Sequence, residues 1–312
     1  MKIYNKEIRA GKNEKVLLPI ANLPSGTSID LSVFVFRSKN PGPTMLLLGG
    51  VHGDEINGIE IVRKAIAEDY FKNLSCGAVI AIPLLNEFGF IQISREFPGG
   101  KDINRSFPGT KGGSLASRVA YTLRNYILPN ADFGIDYHTG GNMIYNYPQA
   151  RYYGGDPESA SLAKEFNMPY AIESSLIKKS IRKTAHDKGI PMVVFEGGES
   201  SRIDKYSIEE GLRGLRNIMA SKGLKSMEHT AVKTQILTNG KWQRAGRSGI
   251  MNLFHESGSY VEKGQIVGEI QDPNNSFKHE IKSIMTGVIY GHNNNPVINK
   301  GDAILHIAEI KH

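Results

Sequence analysis

Apolar segments alternate with segments of helical spacing over much of this 312-residue chain. Strand-like runs begin at Thr44, Ala78, Phe133, Tyr170 and Met192. Between and after them, apolar residues recur with helical spacing over residues 56–71, 115–127, 157–166, 180–188 and 207–220. This alternation predicts an α/β fold with a mixed, mostly parallel sheet and helices on both faces. Two further strand-like runs, residues 15–21 and 28–37, joined by Leu23, Pro24, Ser25 and Gly26, predict a hairpin at one edge of that sheet.

The pattern changes after a polar segment, Ser221 to Glu228, which we interpret as a linker. We therefore expect a first domain of residues 1–228 and an all-β domain of residues 229–312. The segments 261–267 and 298–304 each read as a strand, a Lys-Gly turn and a second strand, which resembles the barrel-sandwich fold of biotinyl and lipoyl domains. The hairpin tip expected at 272–276 contains no lysine for a covalently attached cofactor. We expect this domain to have a structural, pocket-shaping or oligomer-forming role.

Charge and composition narrow the choice of partners. The 38 lysines and arginines exceed the 31 acidic residues, but they are scattered and accompany no nucleic-acid recognition motif. We expect no nucleic-acid partner, and a positive field that attracts small anionic substrates. The sequence suggests neither a signal segment nor a membrane span of roughly 18 apolar residues, so we expect a cytoplasmic protein. The single cysteine, Cys76, excludes an internal disulfide framework.

The first candidate site follows the strand-like run at 44–48. Gly49 and Gly50 end this run, and His52 and Glu55 follow three positions apart. Imidazole and carboxylate groups both bind borderline cations such as zinc. A catalytic zinc takes three protein ligands and keeps one position for water, so a third ligand must come from elsewhere in the chain.

Two further strand ends offer polar residues followed by glycine. His138 stands at such a break, as His52 does, whereas His186 lies in a polar run that suggests a solvated helix. The apolar run 189–195 leads directly into Glu196, Gly197 and Gly198. Ligands of open α/β sheets bind outside the carboxyl ends of the strands, so these groups should converge. The alternatives are that both histidines are core residues bonded to the backbone and that Glu196 is a helix cap or a surface carboxylate.

Together these segments resemble the succinylglutamate desuccinylase/aspartoacylase family of zinc-dependent deacylases, which are similar in fold to zinc carboxypeptidases. The resemblance rests on residues 49–55, 102–109, 136–140 and 194–198, in the order typical of the family. It implies that His52, Glu55 and His138 hold one zinc ion per chain and that Glu196 is the general base and acid. It also implies that Asn104 and Arg105 contact the substrate.

Other residues near these motifs are further candidates. The family places an arginine shortly before the Asn-Arg pair to polarise the scissile carbonyl, which suggests Arg95. Gln149 and Arg151 follow the His138 strand and could form a pocket wall or lie in solvent. Asp136 precedes His138 by two residues, so it should share its face of the strand and could orient it. Asp54 reads as the N-cap of the helix that begins near Glu55.

These residues suit hydrolysis of an amide. Glu196 can move the proton of the attacking water, and the planar guanidinium of Arg105 can bind an oxyanion or a carboxylate. We expect a zinc amidohydrolase that removes an acyl group from a small N-acylated amine, with an N-acyl amino acid as substrate. A zinc carboxypeptidase acting on short peptides and a non-catalytic binding protein remain alternatives. Manganese or cobalt could replace zinc, and the sequence leaves open whether the chain forms a homo-oligomer.

Overall fold

The computed structural model describes residues 1–22, 25–228 and 232–311. Its α-helices are α1 (Ile56–Ala67), α2 (Glu87–Gln92), α3 (Leu115–Thr122), α4 (Pro157–Phe166), α5 (Ile181–His186) and α6 (Lys205–Ser221). Its strands are β1 (Lys2–Ile3), β2 (Lys6–Glu7), β3 (Asn13–Asn22), β4 (Ser28–Arg37), β5 (Thr44–Leu48), β6 (Ala78–Ile82), β7 (Phe133–Gly140), β8 (Ile144–Tyr152), β9 (Tyr170–Glu173), β10 (Met192–Glu199), β11 (Gln235–Arg244), β12 (Gly249–Leu253), β13 (Tyr260–Val261), β14 (Ile266–Gln271), β15 (Lys278–Lys282), β16 (Gly287–Asn293), β17 (Val297–Ile298) and β18 (Ala303–Ile310). A 3-10 turn covers Ile103–Arg105, a π-helical turn Leu123–Ile127 and a second 3-10 turn Leu128–Asn130.

A twelve-stranded sheet forms the centre of the molecule, in the order β3-β4-β6-β5-β7-β10-β8-β9-β11-β18-β16-β13. Its parallel block is β6, β5, β7 and β10. Strand β8 runs antiparallel to β10 and parallel to β9, and β3, β4 and β6 pair antiparallel. The sheet is therefore mixed, and the carboxyl ends of β5, β7 and β10 lie side by side.

Helices cover both faces of this sheet, as the alternating pattern predicts. Successive side chains of a strand point to opposite faces. Leu46 and Leu48 of β5 accordingly pack in a core with residues of α3 and α5. Met45 and Leu47 pack in a second core with α1, α4 and α6. Because β5 is apolar towards both faces and fully buried, it occupies a central position in the sheet.

The described residues beyond 231 form strands and contain no helix. Strands β15, β14, β12 and β17 make a separate four-stranded sheet. Its inner face shares one core with β13, β16 and β18 of the large sheet. The two similar segments, residues 261–267 and 298–304, each connect the two sheets. The first leads from β13 to β14, and the second leads from β17 to β18. The boundary at 228/229 borders residues 229–231, which lie outside the described residues, and it stays a prediction.

The all-β region after residue 231 extends the twelve-stranded sheet through backbone hydrogen bonds. Strand β11 pairs in parallel with β9, from Gln235 opposite Tyr170 to Leu237 opposite Ile172. Strand β16 also pairs with β8. Backbone hydrogen bonds therefore fix the position of the all-β region relative to the parallel block.

The predicted edge hairpin is present as β3 and β4, although Leu23 and Pro24 of its connection lie outside the described residues. Other elements differ from the prediction. Helix α1 ends at Ala67 rather than Phe71. The sequence did not predict strand β8, whose apolar pattern is interrupted by polar residues, or helix α2, which is only six residues long. In the described part of the chain, none of the helices combines the length and apolar character needed to cross a bilayer.

Candidate metal centre and active site

The loop after β5 places the first two candidate ligands. Gly50 adopts a left-handed conformation, with φ of +57°, which turns the chain sharply where the strand ends. A Cβ on Gly53 would lie 2.0 Å from the carbonyl carbon of Gly89, so only glycine fits there. This close turn brings His52 and Glu55 together, with His52 Nδ1 2.7 Å from Glu55 Oε1.

The neighbouring strands supply the remaining groups. His138 Nδ1 lies 2.7 Å from Glu55 Oε2, although the two residues are far apart in sequence. On β10, Glu196 stands directly opposite His138 in the parallel register. The three strand ends therefore converge, and the interpretation of both histidines as backbone-bonded core residues is wrong.

His52, Glu55 and His138 could hold a metal ion, because their ligand atoms lie within 4.8 Å of one another and all three residues are buried. His52 Nε2 faces Asp102 Oδ1 at 3.3 Å, and His138 Nε2 faces Asp136 Oδ2 at 2.8 Å. A carboxylate only accepts hydrogen bonds, so we assign the ring protons to these Nε2 atoms. Each Nδ1 faces the Glu55 carboxylate, so it donates a hydrogen bond when the ring is protonated and offers a lone pair when a cation lies between the two groups. Such a set of electron donors fits a cation bound between them.

The pKa values of His52, Glu55 and His138 are shifted towards the charged forms, although burial opposes charge. Burial disfavours the imidazolium form of His138, but Asp136 and Glu55 raise its pKa well above the usual value. Burial likewise opposes the charge on His52, and Glu55 and Asp102 raise its pKa. For Glu55, burial would favour the neutral acid, yet the two histidines keep its pKa below the usual value.

Glu196 faces the same cavity and is held at both carboxylate oxygens. Asn146 Nδ2 donates to Oε2 at 2.9 Å, and Arg151 Nη1 lies 3.3 Å from Oε1. Its side chain is 14% exposed, so it remains open to the cavity. Two partners on β8 thus fix the carboxylate in orientation while it retains access to a substrate.

The predicted substrate residues lie in the wall of this cavity. Arg95 reaches Glu55 Oε1 and Asp102 Oδ2, both at 3.1 Å, and therefore lies beside the candidate metal ligands. Asn104 Oδ1 accepts the Ile181 backbone N–H at 3.1 Å, which ties its loop to the start of α5. Arg105 is half exposed, and its Nη1 donates to the Asn104 carbonyl.

The cavity has a volume of about 650 Å³, within the usual range for small-molecule sites. Arg95 and Arg151, whose positions the sequence left open, both line it. The all-β region contributes Trp242 and His306, whose rings stack with centroids 4.1 Å apart. Trp242 is the single tryptophan, but its sequence context gave no sign that it faces the site.

The sequence also missed Asp102, Asn146 and Arg182. Asp102 lies in the 102–109 motif, two residues before Asn104. This position was the only indication in the sequence that Asp102 belongs to the site. Arg182 lies in a charged run that resembles a solvated helix face, yet it is 8% exposed and lines the cavity. Only the packing of α5 reveals it.

Two expectations for individual residues are wrong. Glu55, not Asp54, occupies the N-cap position of α1, and no side chain among the described residues caps this helix. The Asp54 carbonyl instead accepts the backbone N–H of Ser201 at 2.7 Å. Gln149 does not lie in a solvated loop or in the cavity wall. It is fully buried within β8, between β10 and β9.

The succinylglutamate desuccinylase/aspartoacylase catalytic domain model matches residues 41–221, which is more than half of the chain. The chain belongs to this family. It is 29% identical to the N-alpha-acetyl-L-2,4-diaminobutyric acid deacetylase of Halomonas elongata, over 94% of this chain and 90% of that protein.

Solved structures share the whole fold. A succinylglutamate desuccinylase/aspartoacylase from Rhodobacter sphaeroides is 25% identical and has a TM-score of 0.86, with all of both chains covered. The product-bound ectoine utilization protein EutE (DoeB) from Ruegeria pomeroyi is 24% identical and has a TM-score of 0.84, with 96% of each chain covered.

Proposed function

We propose that this protein is a zinc-dependent amidohydrolase that removes an acyl group from a small N-acyl amino acid. The observation that carries the proposal is a single cavity in which His52, Glu55 and His138 converge opposite Glu196. A metal-ligand set beside a carboxylate that reaches solvent is the combination that amide hydrolysis needs.

The substrate class is supported by the family and by the size and charge of the cavity. The Halomonas elongata relative is named for the deacetylation of an acetylated diamino acid. About 650 Å³ accommodates such a molecule, and the arginines in the wall suit its carboxylate. We therefore propose N-acetyl amino acids, including acetylated diamino acids, as the first substrates to test.

Each residue then has a defined task. Zinc held by His52, Glu55 and His138 would lower the pKa of a water molecule and polarise the scissile carbonyl. Glu196 takes a proton from the attacking water at its carboxylate and donates it to the leaving amine. Asn146 and Arg151 keep this carboxylate in place through the two contacts described above.

The arginines next to the metal ligands serve the carbonyl and the substrate. We assign Arg95 to the developing oxyanion because its guanidinium already lies against Glu55. Asn104 uses Oδ1 to hold α5, which leaves its amide N–H groups free of partners among the described residues and available to the substrate. Arg105 provides a second, more exposed set of donors.

The test is amine release from a panel of N-acyl amino acids by the zinc-loaded protein. We expect turnover by the parent and a loss of about 10² to 10⁴ in kcat for Glu196→Gln, since a general base is worth this much. Glu209→Gln, a change on the exposed face of α6, is the control. Metal analysis should give one zinc per chain.

Other outcomes would redirect the assignment. Turnover of dipeptides but not of N-acetyl amino acids would indicate a carboxypeptidase. Zinc binding without turnover of either class would indicate a binding protein. Full activity of Glu196→Gln would mean that another group carries the proton.

A further inference from the structure

Five strands close into a barrel beside Glu196. Strands β8, β9, β11, β18 and β16 pair in that order, and β16 pairs back with β8. Side chains along the strands of a barrel alternate between its inside and its outside. Gln149 of β8 lies opposite Glu196 of β10 on one side and opposite Tyr170 of β9 on the other, and it is fully buried. A buried polar side chain is therefore the immediate neighbour of the proposed general base.

The amide of Gln149 has no protein partner. Among the described residues, neither Oε1 nor Nε2 of Gln149 makes a hydrogen bond. The buried Nε of Arg151, two residues further along β8, and the buried Nδ1 of His306 are unbonded in the same way. Leaving a buried polar group unbonded is costly, and nearly all such groups bind another protein group or an internal water molecule.

His306 faces the same interior from β18. Between β18 and β8 lies β16, where Gly291 pairs with His306 on one side and with Asn146 on the other. A Cβ on Gly291 would lie 3.0 Å from Asn146 Oδ1 and 3.4 Å from His306 Cβ. Both side chains therefore lie on one side of β16, and glycine leaves the space between them open. Asn146 is the residue that donates to Glu196, so this space adjoins the carboxylate.

The hydrogen bonds determine which of these atoms are donors. Burial, and then the charge of Arg151, lowers the pKa of His306 to about 3, so the ring is neutral at pH 7. Burial raises the pKa of Tyr290 to about 12, so its hydroxyl keeps its proton. This hydroxyl donates to His306 Nε2 at 2.5 Å, which places the single ring proton on Nδ1. His306 Nδ1, Arg151 Nε and Gln149 Nε2 are thus donors, and Gln149 Oε1 is an acceptor.

This set of atoms selects the kind of ligand. A metal cation would face three N–H donors, and an anion would leave Gln149 Oε1 without a donor. A water molecule both accepts and donates, and internal waters of proteins usually make about three hydrogen bonds. Water is therefore the ligand that satisfies donors and acceptor together.

We infer that the barrel binds internal water between Gln149, Arg151 Nε and His306 Nδ1. Through this water, Gln149 acts as a positioning residue for Glu196. The water holds Arg151 at Nε, and Nη1 of the same guanidinium lies 3.3 Å from Glu196 Oε1. Hydrogen bonds linked in this way strengthen one another in a buried site, so the carboxylate keeps a fixed orientation. The catalytic part of this inference rests on the proposed function, whereas the water site does not.

A crystal structure of the zinc-loaded protein tests the water site directly. We expect ordered water within hydrogen-bond distance of the Gln149 amide and Arg151 Nε. In Gln149→Met, which has a similar volume and no amide, this water should be lost and the contact between Arg151 and Glu196 should lengthen. A parent structure in which the Gln149 amide binds protein groups alone would overturn the inference.

Steady-state kinetics with an N-acetyl amino acid tests the effect on Glu196. Gln149→Met should lower kcat by about tenfold, a part of the 10² to 10⁴ that a general base contributes. KM should change much less, because Gln149 lies behind the carboxylate and does not contact substrate. Gln149→Asn keeps an amide and should retain more of the parent's kcat. A parent-like kcat in a folded Gln149→Met would overturn the positioning role.

Asn217→Leu is the matched control. Asn217 lies on α6 away from the cavity, it is buried, and both of its amide atoms are unbonded among the described residues. This change removes the same kind of group and should leave kcat unchanged. An equal loss of kcat in Asn217→Leu would show that general destabilisation is responsible and would overturn the positioning role. Thermal unfolding identifies a variant that has lost its fold, and if Gln149→Met has done so, Gln149→Asn decides.

The crystal structures separate this inference from the proposed function. If the parent hydrolyses no N-acyl substrate, the proposed function fails. Ordered water in the parent and a longer contact between Arg151 and Glu196 in Gln149→Met would still support the positioning role. If the parent is active and its barrel contains no such water, the inference fails and the proposed function stands.

Discussion

Asp136 Oδ2 accepts a hydrogen bond from His138 Nε2, two residues further along β7, at 2.8 Å. A separation of two places both side chains on the same face of the strand. The bond holds the ring proton on Nε2 and leaves Nδ1, which faces Glu55 at 2.7 Å, as the nitrogen that could bind a metal ion. We therefore propose that Asp136 positions His138 as a metal ligand.

Loss of this hydrogen bond should weaken metal binding. We expect Asp136→Asn to lower zinc affinity by about 10- to 100-fold, as is usual when the partner of a metal-bound histidine is removed. Competition with a chromogenic chelator measures the affinity. The control is Asp132→Asn, an exposed residue before the same strand whose carboxylate accepts the Thr44 N–H. Unchanged affinity in Asp136→Asn would contradict the role we assign to it.

Trp242 should influence substrate binding from the all-β region. Its ring lines the cavity and makes no hydrogen bond to Glu196 or to the candidate metal ligands. Trp242→Ala should therefore raise KM by about tenfold and change kcat less. Trp242→Phe should retain most of the affinity. Steady-state kinetics with an N-acetyl amino acid tests both variants.

Phe254→Ala provides the comparison for Trp242, because Phe254 lies in the same region and is 50% exposed. An equal rise in KM for this variant would show that general destabilisation of the region is responsible. A KM unaffected by Trp242→Ala would remove Trp242 from the substrate pocket.

His306 should make folding less favourable in acid. Burial, and then the charge of Arg151, lowers the pKa of His306 to about 3. Below the ordinary histidine pKa of about 6.5, the unfolded chain binds a proton at His306 that the folded chain does not. The free energy of unfolding therefore falls as the pH decreases from about 6.5 towards 3, by about 2 kcal/mol at pH 5.

His306→Gln keeps an acceptor for the Tyr290 hydroxyl, which lies 2.5 Å from His306 Nε2, and cannot take up a proton. The free energy of unfolding of the variant should therefore fall below that of the parent by less at pH 5 than at pH 7. Urea unfolding at the two pH values measures this difference. The control is His186→Gln on α5, where the ring is partly exposed. A constant difference between parent and His306→Gln would show that His306 does not contribute to the acid sensitivity.

The elements predicted best were those with an unambiguous apolar pattern. Strands β5, β7 and β10 begin at the predicted residues Thr44, Phe133 and Met192. Strand β8 was missed because Asn146, Gln149 and Arg151 interrupt its apolar pattern. These polar side chains are buried or line the cavity. Strand β8 therefore forms because neighbouring strands cover it, and its local composition does not indicate a strand.

The same distinction applies to the candidate site. The positions of His52, His138 and Glu196 follow from a general property of parallel strands, whose carboxyl ends meet at one edge. Arg182 and Trp242 depend on how α5 and β11 pack against that edge. No local pattern distinguishes Arg182 from a solvated arginine, and only the packing of α5 in the folded chain reveals its position in the cavity wall.

The pairing of β11 with β9 has a consequence for how the pocket can change. Trp242 belongs to the same hydrogen-bonded sheet as Glu196, so the two side chains are held in one rigid frame, although different parts of the sequence encode them. Substitutions on β11 and β18 can therefore alter which molecules enter the pocket while β10, the strand that carries Glu196, keeps its place. The architecture separates the evolution of selectivity from the preservation of reactivity.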